Sequence, residues 1–277
     1  MDDTKRITEA NRRAWNEATP LHQRHRTVDL RAKFAEPGYS CLDPIETAKL
    51  LQIGLAGQRV AQLCCNNGRE ILSLVNLGAA EGVGFDISDA AIAEAEELAR
   101  IAGANCRFVR TDVYDIGREW DGRFDLVYIT IGALSWLPDL GRFFGVAARL
   151  LAPGAALAVY EQHPFLYLFP TPGDPEYDSE NELTAVFSYF RTAPWEETQG
   201  IDYIGGTTYA SPTSYSHTQK ISDILNPILR SGLMLREFHE YPHDISLVWR
   251  HLEKYHVVPL CYLLVAHKPK DGAPAGP

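Results

Sequence analysis

Residues 59–88, RVAQLCCNNGREILSLVNLGAAEGVGFDIS, constrain the fold more than any other stretch, because they read as strand, tight turn, helix and second strand without a break. Val60, Ala61 and Leu63 suit a strand buried on both faces, and the run Cys64, Cys65, Asn66, Asn67, Gly68 interrupts the apolar pattern where a turn must follow. Gly68 is the residue expected at positive φ. From Glu70 onward Ile71, Leu72, Leu74, Val75 and Leu77 fall near helical spacing and Gly78 stops the helix. The chain re-enters a strand over 82–85 that ends on Asp86. An acidic side chain at the tip of the second strand of a βαβ unit is placed to accept hydrogen bonds from ribose hydroxyls. The unit is therefore a candidate nucleoside site.

The turn restricts which nucleoside fits. A dinucleotide fingerprint needs glycine in mid-turn so that backbone can approach a pyrophosphate, and here the corresponding places hold Cys64, Asn66 and Gly68. Side chains at the first two obstruct that approach. S-adenosylmethionine carries ribose and adenine but no phosphate, so it tolerates a fuller turn. Downstream, 107–109 reads as a third strand running into Asp112 and Val113, and 124–130, FDLVYIT, as a fourth.

With these segments the chain resembles the class I S-adenosylmethionine-dependent methyltransferases. More narrowly, it is similar to a bacterial small-molecule group whose turn carries LxCNxG. The later text of that group stands here as ITIGALSWLPDL at 129–140, LLAPG at 150–154, Glu161 to Pro164 and the Ser-Asp-Ile-Leu of 222–225. The likeness covers most of the chain. Two departures touch the turn: Gln62 stands where the class usually has an acidic residue, and Cys64 and Asn66 replace glycines. If the turn were only a connection in a sheet protein, Asp86, Asp112 and the fourth-strand motif would have no reason to fall in register with it.

The resemblance implies an α/β, Rossmann-like sheet of seven strands in the order 3-2-1-4-5-7-6, the last antiparallel, with an N-terminal helical cover and a lid inserted after strand 5. The expected division of a single domain over residues 1–277 is cover 1–55, cofactor core 56–162, aromatic lid 163–216, C-terminal helix and closing hairpin 217–268, and a disordered tail 269–277. It also implies S-adenosylmethionine as cofactor and assigns roles. Cys64, Asn67 and Gly68 would shape the turn against it, Asp86 and Ile87 flank ribose and adenine, and Asp112 reaches the adenine amine with Val113 as an apolar wall. Thr130 and Ile131 would line the methyl-bearing sulfonium, Trp15 would cover the methionine end, and Tyr39 would lie over the site. Trp15 serves equally as a packing residue, and Tyr39 equally as a surface loop residue.

Catalytic candidates follow the fifth strand. His163 near its ordinary pKa can accept a proton at neutral pH, with Glu161 orienting it or meeting the substrate. The competing role for His163 is to cap the strand and hold a loop. His217, read as leading a helix over 218–231, is the second candidate base. Between them, 165–215 gathers Phe165, Tyr167, Tyr189, Trp195, Tyr203 and other aromatics among prolines and glycines, the composition of a lid that excludes water beside a cationic cofactor. Ala10, Ala14, Trp15, Ala18 and Leu21 form a helical stripe that Pro20 is expected to interrupt, and Asp43 and Pro44 open a further helix.

A net charge of −10 without a Lys/Arg-rich stripe argues against nucleic acid as partner, and the resemblance implies a small-molecule methyl acceptor. The five cysteines show no metal-site spacing; Cys64 and Cys65 point to opposite sides of a strand, so no metal is expected. They read as reduced thiols of a cytoplasmic protein, and no apolar run has the length of a membrane span. Monomer and homodimer both stay open. So does a protein that binds the cofactor without moving its methyl group, as a rearrangement or cyclisation catalyst or a sensor.

Overall fold

The computed structural model describes residues 2–270, so the expected tail 269–277 lies outside it except for its first two residues. The chain runs α1 (Asp3–His25), α2 (Leu30–Phe34), α3 (Pro44–Ile53), β1 (Arg59–Leu63), α4 (Arg69–Asn76), β2 (Glu81–Asp86), α5 (Asp89–Ala102), β3 (Cys106–Arg110) and β4 (Phe124–Thr130). It continues through α6 (Leu140–Leu150), β5 (Leu151–Gln162), β6 (Trp195–Glu197), β7 (Ser214–Ser216), α7 (Ile221–Arg230), β8 (Met234–Tyr241) and β9 (Cys261–His267). Seven strands form one sheet in the order β3-β2-β1-β4-β5-β9-β8, and β6 and β7 pair separately. The pairs from β3 to β5 are parallel, while β9 runs antiparallel to both β5 and β8. Counting β8 and β9 as sixth and seventh, this is the expected topology.

Alternation along the strands divides the core. Ala61, Leu63, Val127, Ile129, Leu157 and Val159 face α6 and α7, whose Phe143, Phe144, Ile224 and Ile228 are buried among them. Val60, Leu126, Tyr128, Ala156 and Ala158 face the other way, onto Leu50 of α3 and Leu74 of α4. Each of the valine, leucine, isoleucine and phenylalanine side chains among them contributes about 1.5–3 kcal/mol of burial. Helix starts follow the sequence: the Asp43, Ser88 and Asp139 side chains accept the backbone N–H of Glu46, Ala91 and Arg142.

The sheet reverses its order between β1 and β4, the switch point at which an open α/β sheet places its ligand crevice, beyond the carboxyl ends of the strands. Two local expectations change. Helix α1 passes through Pro20, which is exposed and near the helix end, so it leaves only one carbonyl, that of Asn16, without a helical donor. His217 does not lead a helix: α7 starts four residues later. Strand β5 carries an irregularity that absorbs Pro153 and Gly154, since Phe124 pairs with Leu151 but Leu126 with Ala156. The loop before β9 packs Trp249 and Leu252 onto Leu166 and Phe169.

Candidate functional site

The turn after β1 keeps a glycine-type backbone with other residues in it. Cys64, Asn66 and Gly68 have φ of 56°, 47° and 71°. Asn tolerates this region, and the Asn66 side-chain oxygen accepts the Asn67 amide at 2.7 Å, which fixes the loop locally. Gly68 has no substitute, because a Cβ there would lie 2.5 Å from the Phe108 ring. Gln62, where an acid was the usual residue, is spent inside: its Oε1 accepts the Ile71 amide at 3.1 Å in the first turn of α4.

Asp86 stands at the tip of β2 and holds this turn. One carboxylate oxygen accepts the Asn66 amide at 2.7 Å and the other the Ser88 amide at 2.8 Å. Asp86 and Ile87 are half-buried and Asn67 and Gly68 buried, so the carboxylate forms part of an enclosed surface with two lone pairs still free. Burial pushes the Cys64 thiol well up, leaving it neutral beside that carboxylate.

Asp112 is engaged differently from the adenine role expected of it. Its Oδ2 accepts Lys5 Nζ at 2.9 Å and Thr8 Oγ1 at 2.7 Å, both from α1, and Oδ1 accepts the Tyr114 amide at 3.0 Å. The carboxylate thus latches the N-terminal helix to the end of β3. Val113 is buried beside it.

On the other side of the crevice, Glu161 is 4 % exposed at the end of β5 and accepts the backbone N–H of Gly132, of Leu134 at 3.1 Å and of Gln162 at 2.8 Å. With three amides on its two oxygens it anchors the loop after β4 rather than orienting a base. Thr130 is buried with its hydroxyl unpartnered, and the Ile131 amide donates to the Tyr160 carbonyl at 3.1 Å.

His163 is 1 % exposed. Its Nδ1 accepts the Phe165 amide at 3.2 Å, and Nε2 lies 3.0 Å from Glu240 Oε1 without hydrogen-bonding alignment. Burial lowers its pKa, so the ring is neutral and caps the 3₁₀ turn Pro164–Leu168. That is the capping role weighed against the base reading, and it occupies Nδ1. His217 differs: it is half-buried, its amide donates to the Ser135 carbonyl at 2.7 Å, and its Nδ1 has no partner. Burial lowers its pKa as well.

Helix α1 closes one side. Trp15 meets Trp136 edge-on at 5.3 Å, His22 at 5.7 Å and the lid residue Tyr203 at 6.4 Å. Tyr39 instead packs edge-on against Phe34 at 5.0 Å, and its carbonyl accepts Asn76 Nδ2. Missed in the sequence was Asn11, whose amide pairs like a strand with Tyr215, donating to its carbonyl at 2.9 Å and accepting its N–H at 2.7 Å. A buried polar residue within the apolar stripe of α1 was its one visible signal.

Residues 60–154 match the family described as a methyltransferase domain. No curated protein sequence matches the chain. Solved structures share its fold. A putative S-adenosylmethionine-dependent methyltransferase from Listeria monocytogenes is 17% identical with TM-score 0.58, over 80% of this chain and 97% of that one. Magnesium protoporphyrin IX methyltransferase from Synechocystis, with bound SAH, is 17% identical with TM-score 0.55, over 96% and 100%. The (4+2)-cyclase SpnF is 15% identical with TM-score 0.56, over 95% and 97%.

Proposed function

We propose that this chain, built on the class I S-adenosylmethionine-dependent methyltransferase fold, moves the methyl group of S-adenosylmethionine to O, N or C of a small, partly apolar acceptor. The observation that supports this most is Asp86, partly open at the tip of β2 while it pins a turn too full for a diphosphate. When bound, the cofactor supplies an electrophilic methyl carbon on a sulfonium.

The chain does the rest by placement. Asp86 accepts the ribose hydroxyls on its free lone pairs, Cys64, Asn67 and Gly68 shape the surface beneath, and Ile87 and Val113 wall the adenine. Thr130 and Ile131, on a loop held by Glu161, border the reacting centre. Trp15, Trp136 and Tyr203 exclude water there, which favours a nucleophile held roughly 3 Å from the methyl carbon. His217 receives the acceptor's proton at Nδ1, the ring nitrogen left unpartnered. A positioned base contributes about 10²-fold or more.

Incubation with labelled cofactor and a panel of phenols and amines tests the reading; labelled product supports it. His217→Ala lowers kcat by about 10²-fold while leaving S-adenosylhomocysteine affinity unchanged. Because burial lowers the His217 pKa, the wild type keeps its free base below pH 6.5 and loses activity only further into acid. Unchanged turnover in the variant removes the base role.

One observation favours a second reading, in which the cofactor is bound but not consumed: Glu161 and His163 are both committed to holding loops, leaving little general-base machinery at the crevice. SpnF is described as a cyclase, and no product from any nucleophile alongside tight cofactor binding selects this reading. An acidic chain with an enclosed crevice fits neither RNA nor a protein substrate as acceptor. Among the described residues no helix is long and apolar enough to cross a membrane, and with five free cysteines the reading is of a cytoplasmic protein.

A further inference from the structure

A cluster of charged groups beside the turn has no task in the fold. Arg69, first residue of α4, keeps 40% of its side chain accessible and places Nε 2.6 Å from Glu70 Oε1. Glu46 of α3 is 3% exposed, and its Oε1 has no hydrogen-bond partner. Cys41, three residues before α3, is held to α4, its thiol donating to the Arg69 carbonyl at 3.5 Å and accepting from the Ser73 hydroxyl at 3.3 Å. The lid residue Tyr203, close enough to raise the Arg69 pKa through its charge, packs on His22 and, at 6.4 Å, on Trp15. The cluster therefore lies beside the turn, between the starts of α3 and α4. Gln62, at the place of the class's usual acid, is neutral, with its Oε1 accepting the Ile71 amide. A zwitterion lodged against this turn must find its counter-charges elsewhere, and an orphaned buried carboxyl next to a reachable guanidinium offers both signs.

We propose that Arg69 and Glu46 form the site for the α-amino-acid end of the bound donor, the guanidinium taking the carboxylate and the Glu46 carboxyl taking the ammonium. This rests on the donor reading above and names the residues that recognise the part of it distinguishing S-adenosylmethionine from a simple adenosine thioether. In the free protein, burial and the neighbouring Asp43 and Glu70 carboxylates push the Glu46 carboxyl well above the usual carboxylate range, with Arg69 the opposing charge. An ammonium placed against it drives its ionisation, and the proton leaves to solvent.

Calorimetry with two probes, S-adenosylhomocysteine and 5′-methylthioadenosine, which lacks the amino acid, tests this in buffers of different ionisation heat. Wild type binds the first about 100-fold more tightly, with release of a proton that the second does not cause. Glu46→Gln and Arg69→Met each weaken S-adenosylhomocysteine about tenfold or more and leave 5′-methylthioadenosine within about twofold, the latter serving as the control for folding. Glu46→Gln also abolishes the proton release. If wild type binds both probes and neither variant changes their ratio, the assignment is overturned. If wild type binds neither, the donor reading itself falls.

Discussion

At the tip of β2 the Asp86 carboxylate accepts amides of the β1 turn and of the residue leading α5, and at the end of β5 the Glu161 carboxylate accepts amides of the loop after β4. Each half of the parallel sheet thus uses a strand-end acid to hold the loop of the neighbouring inner strand, on opposite sides of the same crevice. The halves differ in exposure and in spare capacity. Asp86 is half-buried and accepts one amide per oxygen; Glu161 is 4 % exposed and accepts three amides in all. The same device therefore serves ligand binding in one half and loop anchoring in the other, and burial rather than residue type separates the two.

Substitutions can break that contrast. Asp86→Ala removes the acceptor of two amides and of the ribose hydroxyls, and we expect S-adenosylhomocysteine affinity to fall about 100-fold, read by calorimetry. Glu161→Gln sets an amide N–H₂ against backbone donors that have no water to turn to. It should cost about 2 kcal/mol of stability in denaturant titration, with ligand affinity much less affected. If Glu161→Gln instead abolishes binding at full stability, the two acids are not divided as described. His163 sharpens the anchoring side. Its folded pKa lies below the ordinary 6.5, so the unfolded chain binds the extra proton; stability is full above that value and declines as pH falls beneath it. His163→Gln should flatten this acid limb in melts followed between pH 7 and 5. The smallest effect belongs to the turn. Cys64→Gly relieves a left-handed cysteine but frees the unfolded chain, and the net change is below about 1 kcal/mol in a thermal melt.

The binding half was legible because its signals are local. The period of β1, α4 and β2 and the acid closing β2 stand within thirty residues, and β4 occupies its expected bounds. The other half depends on contacts distant in sequence. Nothing near Glu161 announces that β5 continues beyond Tyr160 and buries the carboxylate over a loop 29 residues earlier. His163 looks like a base in the text because its neighbours Phe165 and Glu240 become neighbours only through the turn and the closing hairpin. The lid was expected, but not the division of its aromatics between a small core with Trp249 and the wall with Trp15, which again rests on distant contacts.

Helix α1 is bonded at once to the crest of β2 through Asn16 and Ser88, to that of β3 through Lys5, Thr8 and Asp112, to the β4 loop through Asn11 and Trp136, and to the lid through His22 and Ile201. A bar fastened to every side of an opening cannot lift at one end alone. Admission of any guest to the crevice is accordingly a concerted loosening of the whole rim, and one fastening weakened anywhere along the bar is felt at all the others.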